Sequence, residues 1–592
     1  MYLLIRSYFC YITKITVFFK HLLITYIVFS STAYPLSDNN KENSYQIIVS
    51  EEASDSLIMQ KAFEAEILVE SKEYKKAAKI YFDISMKTDD PEVAKRATQL
   101  AGYAKDYELM LKSSDRWLKI AEDKIPVRHI RISIYLAQNK IQLATKETLL
   151  AIKFSKDKDK FALVYDTLKV FNDDVIKKIF EKIYAEYKDE YLASFYYVQV
   201  LLNNNEYEKA INIINNASKF KEFNKKESRW GIFLAKAYFE IGNDKMSVKV
   251  LKDYLSYSPK DIYLNQYYIG ILTQQKNYKE AIKHYRFMSA NKLINFSDIE
   301  VAKKMSILNI KAKNYIDADS FINSIKEKNV NSYYYLKGIL NSNKSKVNND
   351  NKTKIRAENF LKKVDIKSDE YIDAIKEFSN IKIRSREYLL LKNYFKIQRN
   401  KIENNEELEI RLILVETEIF FNEKKYDYAM DIVNYGLEKY IDNSSFLYTR
   451  ALVAEKIDRL DILENDLTKL IKLEPNNAQA MNALGYTWAN NNINLNEAHD
   501  YIDKALAILP NDAAILDSKG WVLYKLGKYK SAESYFVKAL RISNDTEIVS
   551  HFVKLLIKLK KIDKAKQIYT KHIKISPKDE NLIRLKKILN EI

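Results

Sequence analysis

Near its carboxyl end the chain repeats itself every 33 to 35 residues. Gly485 and Gly520 are 35 apart, Ala498 and Ala532 are 34 apart, and Ala532 and Ala565 are 33 apart. A fixed beat of this length marks one supersecondary unit used again and again. Such a unit cannot bury its apolar face alone, so neighbours must stack. The spacing within a unit predicts two antiparallel helices, A and B. Gly520 and Ala532 fall where the pair crosses, and a large side chain there would force them apart. Tyr524 and Phe536 fill the space around the crossing, Ala539 abuts the next unit, and Pro510 or Pro577 ends helix B because proline cannot continue it.

Composition supports helix throughout. The 592 residues include only 9 Gly and 7 Pro, far below the usual ~7% and ~5%. So few breakers imply few tight turns and few phosphate-cradling loops, which argues against β-sandwich arrays and dinucleotide enzymes. With 47% apolar and 30% charged residues, the chain suits amphipathic helices and is too apolar for wholesale disorder. Weaker units keep the same beat upstream, around Tyr74 and Ala77, Tyr207 and Ala210, Ile269-Gly270 and Ala281, and Tyr426 and Ala429. Gly338 to Ala357 is 19 residues where the pattern asks for 12. The surplus lies in the polar run Asn341–Asn351, which reads as an enlarged, exposed turn between helices A and B. Residues 57–440 are expected to be degenerate hairpins with that insertion, and residues 441–592 well-formed repeats with a C-terminal cap. Ten to fourteen units are expected in all.

From about Ser445 to Lys578 this pattern resembles the tetratricopeptide repeat. The resemblance implies an all-α, right-handed superhelix (a solenoid) of tetratricopeptide-like helical hairpins. Two further stretches are similar to exported repeat proteins of Gram-negative bacteria. One is Asp90-Pro91-Glu92-Val93-Ala94-Lys95-Arg96-Ala97 with Ala104-Lys105-Asp106-Tyr107-Glu108. The other runs from Arg450-Ala451 through Asn482-Ala483-Leu484-Gly485-Tyr486 to Leu516-Asp517-Ser518-Lys519-Gly520-Trp521. This likeness implies a role in the cell envelope and assigns no reaction.

The amino terminus reads as an export signal. Residues 1–33 hold Arg6, Lys14 and Lys20 and no acid, then the apolar stretch Leu22–Phe29, then Ser30-Ser31-Thr32-Ala33 with small residues at the −3 and −1 places. The apolar run is shorter than the ~20 residues of a membrane span. A periplasmic protein is expected, or one held at the inner membrane by an uncleaved signal. Residues 34–56 form a polar N-terminal segment. The single cysteine, Cys10, lies inside the signal, which leaves the mature chain without disulfides, thiolate zinc sites or thiol catalysis.

Motifs for chemistry are missing. There is no His-Glu-x-x-His, no Gly-x-Ser-x-Gly and no phosphate-binding Gly-x-x-x-x-Gly-Lys-Ser/Thr. No two of the 6 histidines lie three or four positions apart, so metal ligation by a His pair is unsupported. His499 and Asp500 are helix neighbours that do not face each other. The reading is of a non-enzyme that needs no cofactor and no metal. The net charge of +18 is spread along the chain with acids close by, unlike the clustered cations of a nucleic-acid site. No nucleic-acid partner is expected.

Function should then reside in a binding surface. In the repeat that this sequence resembles, helix A lines the concave face. Its outward places hold Gln479, Asn482, Tyr486 and Asn490 in one unit and Asp517, Trp521, Tyr524 and Lys525 in the next. Asn482, Tyr486, Asp517, Trp521 and Lys525 are the candidate partner-binding residues. Such a surface can grip an extended peptide through main-chain hydrogen bonds and apolar pockets. Trp521 either anchors that peptide or packs between adjacent A helices. The polar clamp that some eukaryotic members use for a peptide carboxylate is absent, since Ala483 and Tyr486 stand in its places. The function expected is a non-catalytic, exported scaffold for polypeptide partners in envelope assembly or trafficking. Alternatives are an adaptor for polysaccharide export and a hydrolase that uses the superhelix as a substrate platform.

Overall fold

A computed structural model describes residues 54–171, 173–220, 227–348, 350–402 and 405–590. The signal and most of the polar segment that follows lie outside them. The described residues form 31 α-helices and no strand. Consecutive helices pair into fifteen hairpins, from Ser54–Glu70 with Tyr74–Ser85 to Thr546–Lys558 with Ile562–Ile573, and Glu580–Asn590 closes the series. This is one more hairpin than the largest number expected. The described chain divides into two compact units, residues 54–271 and 272–590.

The crossing geometry follows the expected register. A Cβ added at Gly520 would sit 2.8–2.9 Å from three ring carbons of Phe536, and one at Gly485 would sit 2.8 Å from Ile502 Cγ1 and 2.9 Å from the Ala498 carbonyl oxygen. Gly338 meets Leu361 in the same way. In each case the partner lies one turn beyond the helix B alanine, at Ala498, Ala532 and Ala357, all of them fully buried. Gly270 departs from this. It is exposed, and an added Cβ would meet nothing within 4 Å. Ile269, 4% exposed, takes the inward place beside it.

Scarce glycine does not mean scarce tight turns. In thirteen hairpins the residue that closes the A–B turn has positive φ, and only Gly242 and Gly527 among these are glycine. The others include Lys72, Lys105, Asn139, Lys313, Lys424 and Lys560. Each turn closes with the hydrogen bonds of a left-handed helix cap. The Glu73 amide donates to the Leu68 carbonyl, and the Lys528 amide to the Leu523 carbonyl, both at 2.8 Å. Helix A then starts on a side-chain cap in many hairpins. Asp512 Oδ1 accepts from the amides of Ala514 and Ile515, and Asn477 Oδ1 accepts from that of Ala480. These bonds satisfy amides that have no partner within the helix.

The polar run at 341–351 is not an enlarged turn. Helix A of that hairpin continues over Val330–Asn348, and helix B begins at Asn351 on the Asp350 cap. The surplus residues therefore lengthen a helix. Nothing in the run breaks one: it has neither glycine nor proline, and Asn341 and Asn343 donate to the carbonyls of Lys337 and Ile339, one turn back, at 2.7 and 2.9 Å. Ser342 is fully buried. Its hydroxyl donates to Glu377 and accepts from Arg384 at 2.9 Å, which ties the extension to the next hairpin.

Candidate functional site: a side-chain ladder on three A helices

The last three A helices, Ala478–Asn490, Ala513–Lys525 and Thr546–Lys558, place equivalent residues in rows. Asn482, Asp517 and His551 form one row, spaced 35 and 34 residues apart, and Tyr486, Trp521 and Leu555 form the next. One hydrogen bond shows how this face curves. The Tyr486 hydroxyl donates to Glu547 Oε1 at 2.6 Å, past the intervening A helix. Side chains two hairpins apart touch only where the A helices bend toward one another.

The expected residues come together, and four of the five are buried: Asn482 is 0% exposed, Tyr486 9%, Asp517 5% and Trp521 5%. Trp521 joins the apolar cluster of the C-terminal hairpins. The His551 ring lies 4.0 Å from it and near parallel, and the Tyr524 ring lies 5.0 Å away with only 4° between the planes. The ammonium groups of Lys525 and Lys554 stand 5.1 and 5.4 Å from its centroid. The faces of the indole are thus engaged within the protein. Lys525 is half-buried at the edge, where Nζ donates to the Asn490 carbonyl at 3.2 Å and to Asn492 Oδ1 at 3.0 Å.

Burial sets the electrostatics. It pushes the Asp517 carboxyl above its ordinary range, against the pull of His551, whose Nδ1 lies 2.9 Å from Oδ2. It pushes the Tyr486 phenol well up, with Glu547 adding to the effect, and the Lys525 and Lys554 ammonium groups down. Several polar atoms of the site have no hydrogen-bond partner: both amide atoms of Asn482, Oδ1 of Asp517 and Nε1 of Trp521. Sequence reasoning missed His551, Glu547 and Lys554, which complete the ladder on the third helix. Adding 34 to Asp517 would have found His551.

Other candidate chemistry stays dispersed. His499 Nδ1 is 3.2 Å from Asp503, one turn away, and 3.9 Å from its neighbour Asp500, while Nε2 meets Lys519 Nζ at 2.8 Å. Among the described residues no group of three His, Cys, Asp or Glu side chains could hold a metal ion. No described helix is long and apolar enough to cross a membrane.

Comparison with known proteins agrees with the repeat assignment. The tetratricopeptide repeat family model matches residues 513–546 and 551–579. The chain is 42% identical over 142 residues to the TPR repeat-containing protein PA4667 of Pseudomonas aeruginosa, a match covering 24% of each chain. It thus spans about a quarter of the length of that relative. Among solved structures it is similar to TTC0263, a thermophilic TPR protein of Thermus thermophilus, at 20% identity over 31% of this chain and 100% of that one (TM-score 0.29). It is also similar to a chain in the structure of Naa15/Naa10 bound to HypK-THB, at 11% identity over 90% and 96% (TM-score 0.38). The tetratricopeptide repeat is thus recognised in this chain at residues 513–546 and 551–579, within hairpins that keep the expected register.

Proposed function

We propose that this protein is an exported, non-catalytic scaffold that binds polypeptide partners and serves assembly or trafficking in the cell envelope. The observation that carries the binding role is the ladder itself. Asn482, Tyr486, Asp517 and Trp521, from two adjacent A helices, share one curved face with Lys525 at its edge. A stack of hairpins with such a curved face suits the capture of an extended chain. The envelope location rests on the pattern of residues 1–33, a basic start, a short apolar run and a Ser-Thr-Ala site. A photo-crosslinking residue at the exposed Asn490, used in whole cells, tests both parts. Adducts with envelope or secreted polypeptides are expected. Labelling confined to cytosolic proteins would end the export reading, and labelling of none would end the scaffold reading.

A further inference from the structure

The excess of positive charge gathers at the last hairpin and its closing helix. From Lys554 to Asn590 there are 12 lysines and arginines against 3 acids, an excess of nine, so half of the net +18 lies in 37 of the 592 residues. Glu533 of the preceding hairpin takes Lys561 and Lys564, at 2.6 and 3.0 Å. Lys571, Lys574, Lys578, Arg584, Lys586 and Lys587 are exposed, and among the described residues no acid lies within ion-pair distance of them. Apolar side chains stand among these cations. The helix Glu580–Asn590 buries Leu582, Leu585 and Leu589. On its other side Ile583 and Ile588 are 45% and 36% exposed, and Ile575, in the turn before it, is 63% exposed. Ile583 with Lys587, and Arg584 with Ile588, are four residues apart and share that side of the helix. The outer face of a closing repeat is ordinarily polar; this one interleaves isoleucine with cations.

Charge and apolar exposure select the same kind of partner. Cations near an anionic bilayer are drawn to its headgroup phosphates, and exposed aliphatic side chains gain by entering the acyl boundary. A second copy would bring like charges together. A nucleic acid would also offer phosphates, but its bases stack on aromatic rings, and the large apolar side chains exposed in this stretch are all isoleucine. We infer that the turn at Ile575 and the closing helix dock on the surface of an anionic phospholipid bilayer. Lys574, Lys578, Arg584 and Lys587 meet the headgroups, and Ile575, Ile583 and Ile588 reach the acyl boundary. The contact is peripheral, since no described helix is long and apolar enough to cross a membrane. It goes beyond the scaffold reading and does not depend on it.

The test uses the full chain with Cys10→Ser and Ile575→Cys, so that an environment-sensitive dye sits in the turn and the signal carries none. Vesicles are phosphatidylcholine alone, or equal parts phosphatidylcholine and phosphatidylglycerol. The dye emission should shift to the blue on the anionic vesicles only, with more lipid needed as salt is raised. Changing Lys574, Lys578, Arg584 and Lys587 to Gln together should raise the lipid needed more than about a hundredfold, at about fivefold per cation. A control that changes Lys276, Lys279, Lys283 and Lys292 to Gln removes the same charge from exposed places on other helices and should alter it less than about threefold, because distant charges are screened. Ile583→Ser with Ile588→Ser should weaken binding about tenfold at every salt concentration, since apolar contact is not screened. An equal shift on neutral and anionic vesicles, or equal losses in the two lysine variants, would overturn docking by this surface. A dye that stays in water on every vesicle would overturn it too, and single-stranded RNA bound through the same four cations would then assign the surface to nucleic acid.

Discussion

The close contact at Gly520 makes a sharp test of the repeat register. An alanine there places its Cβ 2.8–2.9 Å from three ring carbons of Phe536, where ordinary contact is ~3.5–4.0 Å. Phe536 is fully buried at the helix crossing and cannot swing aside. Two effects compete. Replacing a helix-interior glycine by alanine gains about 1 kcal/mol from backbone propensity. Overpacking a filled core costs about 1–3 kcal/mol. The clash should win, leaving Gly520→Ala about 1 kcal/mol less stable and Gly520→Leu several kcal/mol less stable. Gly270 supplies the control, since its Cβ would meet nothing within 4 Å. Gly270→Ala should gain up to about 1 kcal/mol. Long repeat arrays do not unfold in two states, so the proper assay is hydrogen exchange resolved by helix. Protection should fall in Ala513–Lys525 and Tyr529–Ile542 for Gly520→Ala, and rise in Ile262–Gln274 for Gly270→Ala. Pairing Gly520→Ala with Phe536→Leu should recover part of the loss through a coupling of about 1 kcal/mol. Unchanged or greater protection in Gly520→Ala would show that Gly520 is not the crossing residue, and the register would be wrong.

Other consequences can be measured separately. Lys313, Lys424 and Lys560 hold positive φ on the surface, so changing each to glycine should raise stability by about 0.5–1 kcal/mol, against the usual direction of glycine substitutions; a lower melting temperature in the triple variant would contradict this. Burial depresses the His129 imidazole to about 4. Its folded value lies below the unfolded ~6.5, so stability is fully present above pH 6.5 and lost as pH falls toward 4, by about 3 kcal/mol. The protection factors of the helix Ile125–Ala137, exchange relative to the intrinsic rate at each pH, should fall across that window in wild type and not in His129→Gln. Limited proteolysis should not cut first within 341–348, where the chain is helical and tied to Glu377 and Arg384; an early cut there would restore the exposed turn. Trp521→Ala should destabilise the C-terminal hairpins by about 3–5 kcal/mol, because the ring stacks on His551; an unchanged melt would show that the stack contributes nothing.

The sequence alone determined what depends on local spacing. A glycine at 520 with an alanine at 532 can be read as a helix crossing, because only small side chains let two backbones come that close. The 34-residue beat then places Asn482 and Asp517 in one row, and Tyr486 and Trp521 in the next, with no structure needed. Tertiary structure decided what depends on who the neighbours are. Scarcity of glycine pointed away from tight turns, yet Lys72 and Asn139 adopt the left-handed conformation. The cap hydrogen bonds and the packed hairpin impose it, and a propensity scale does not count those. The polar run after Asn341 looked like a loop because its residues favour water. Ser342 is buried there because Glu377 and Arg384, on the next hairpin, offer it partners. Gly270 had the right residue type one place off the crossing. Trp521 could be groove or core on spacing alone. The stack on His551 arises between residues 30 apart in sequence, and it turned the indole so that its N–H edge, not its face, is left without a partner.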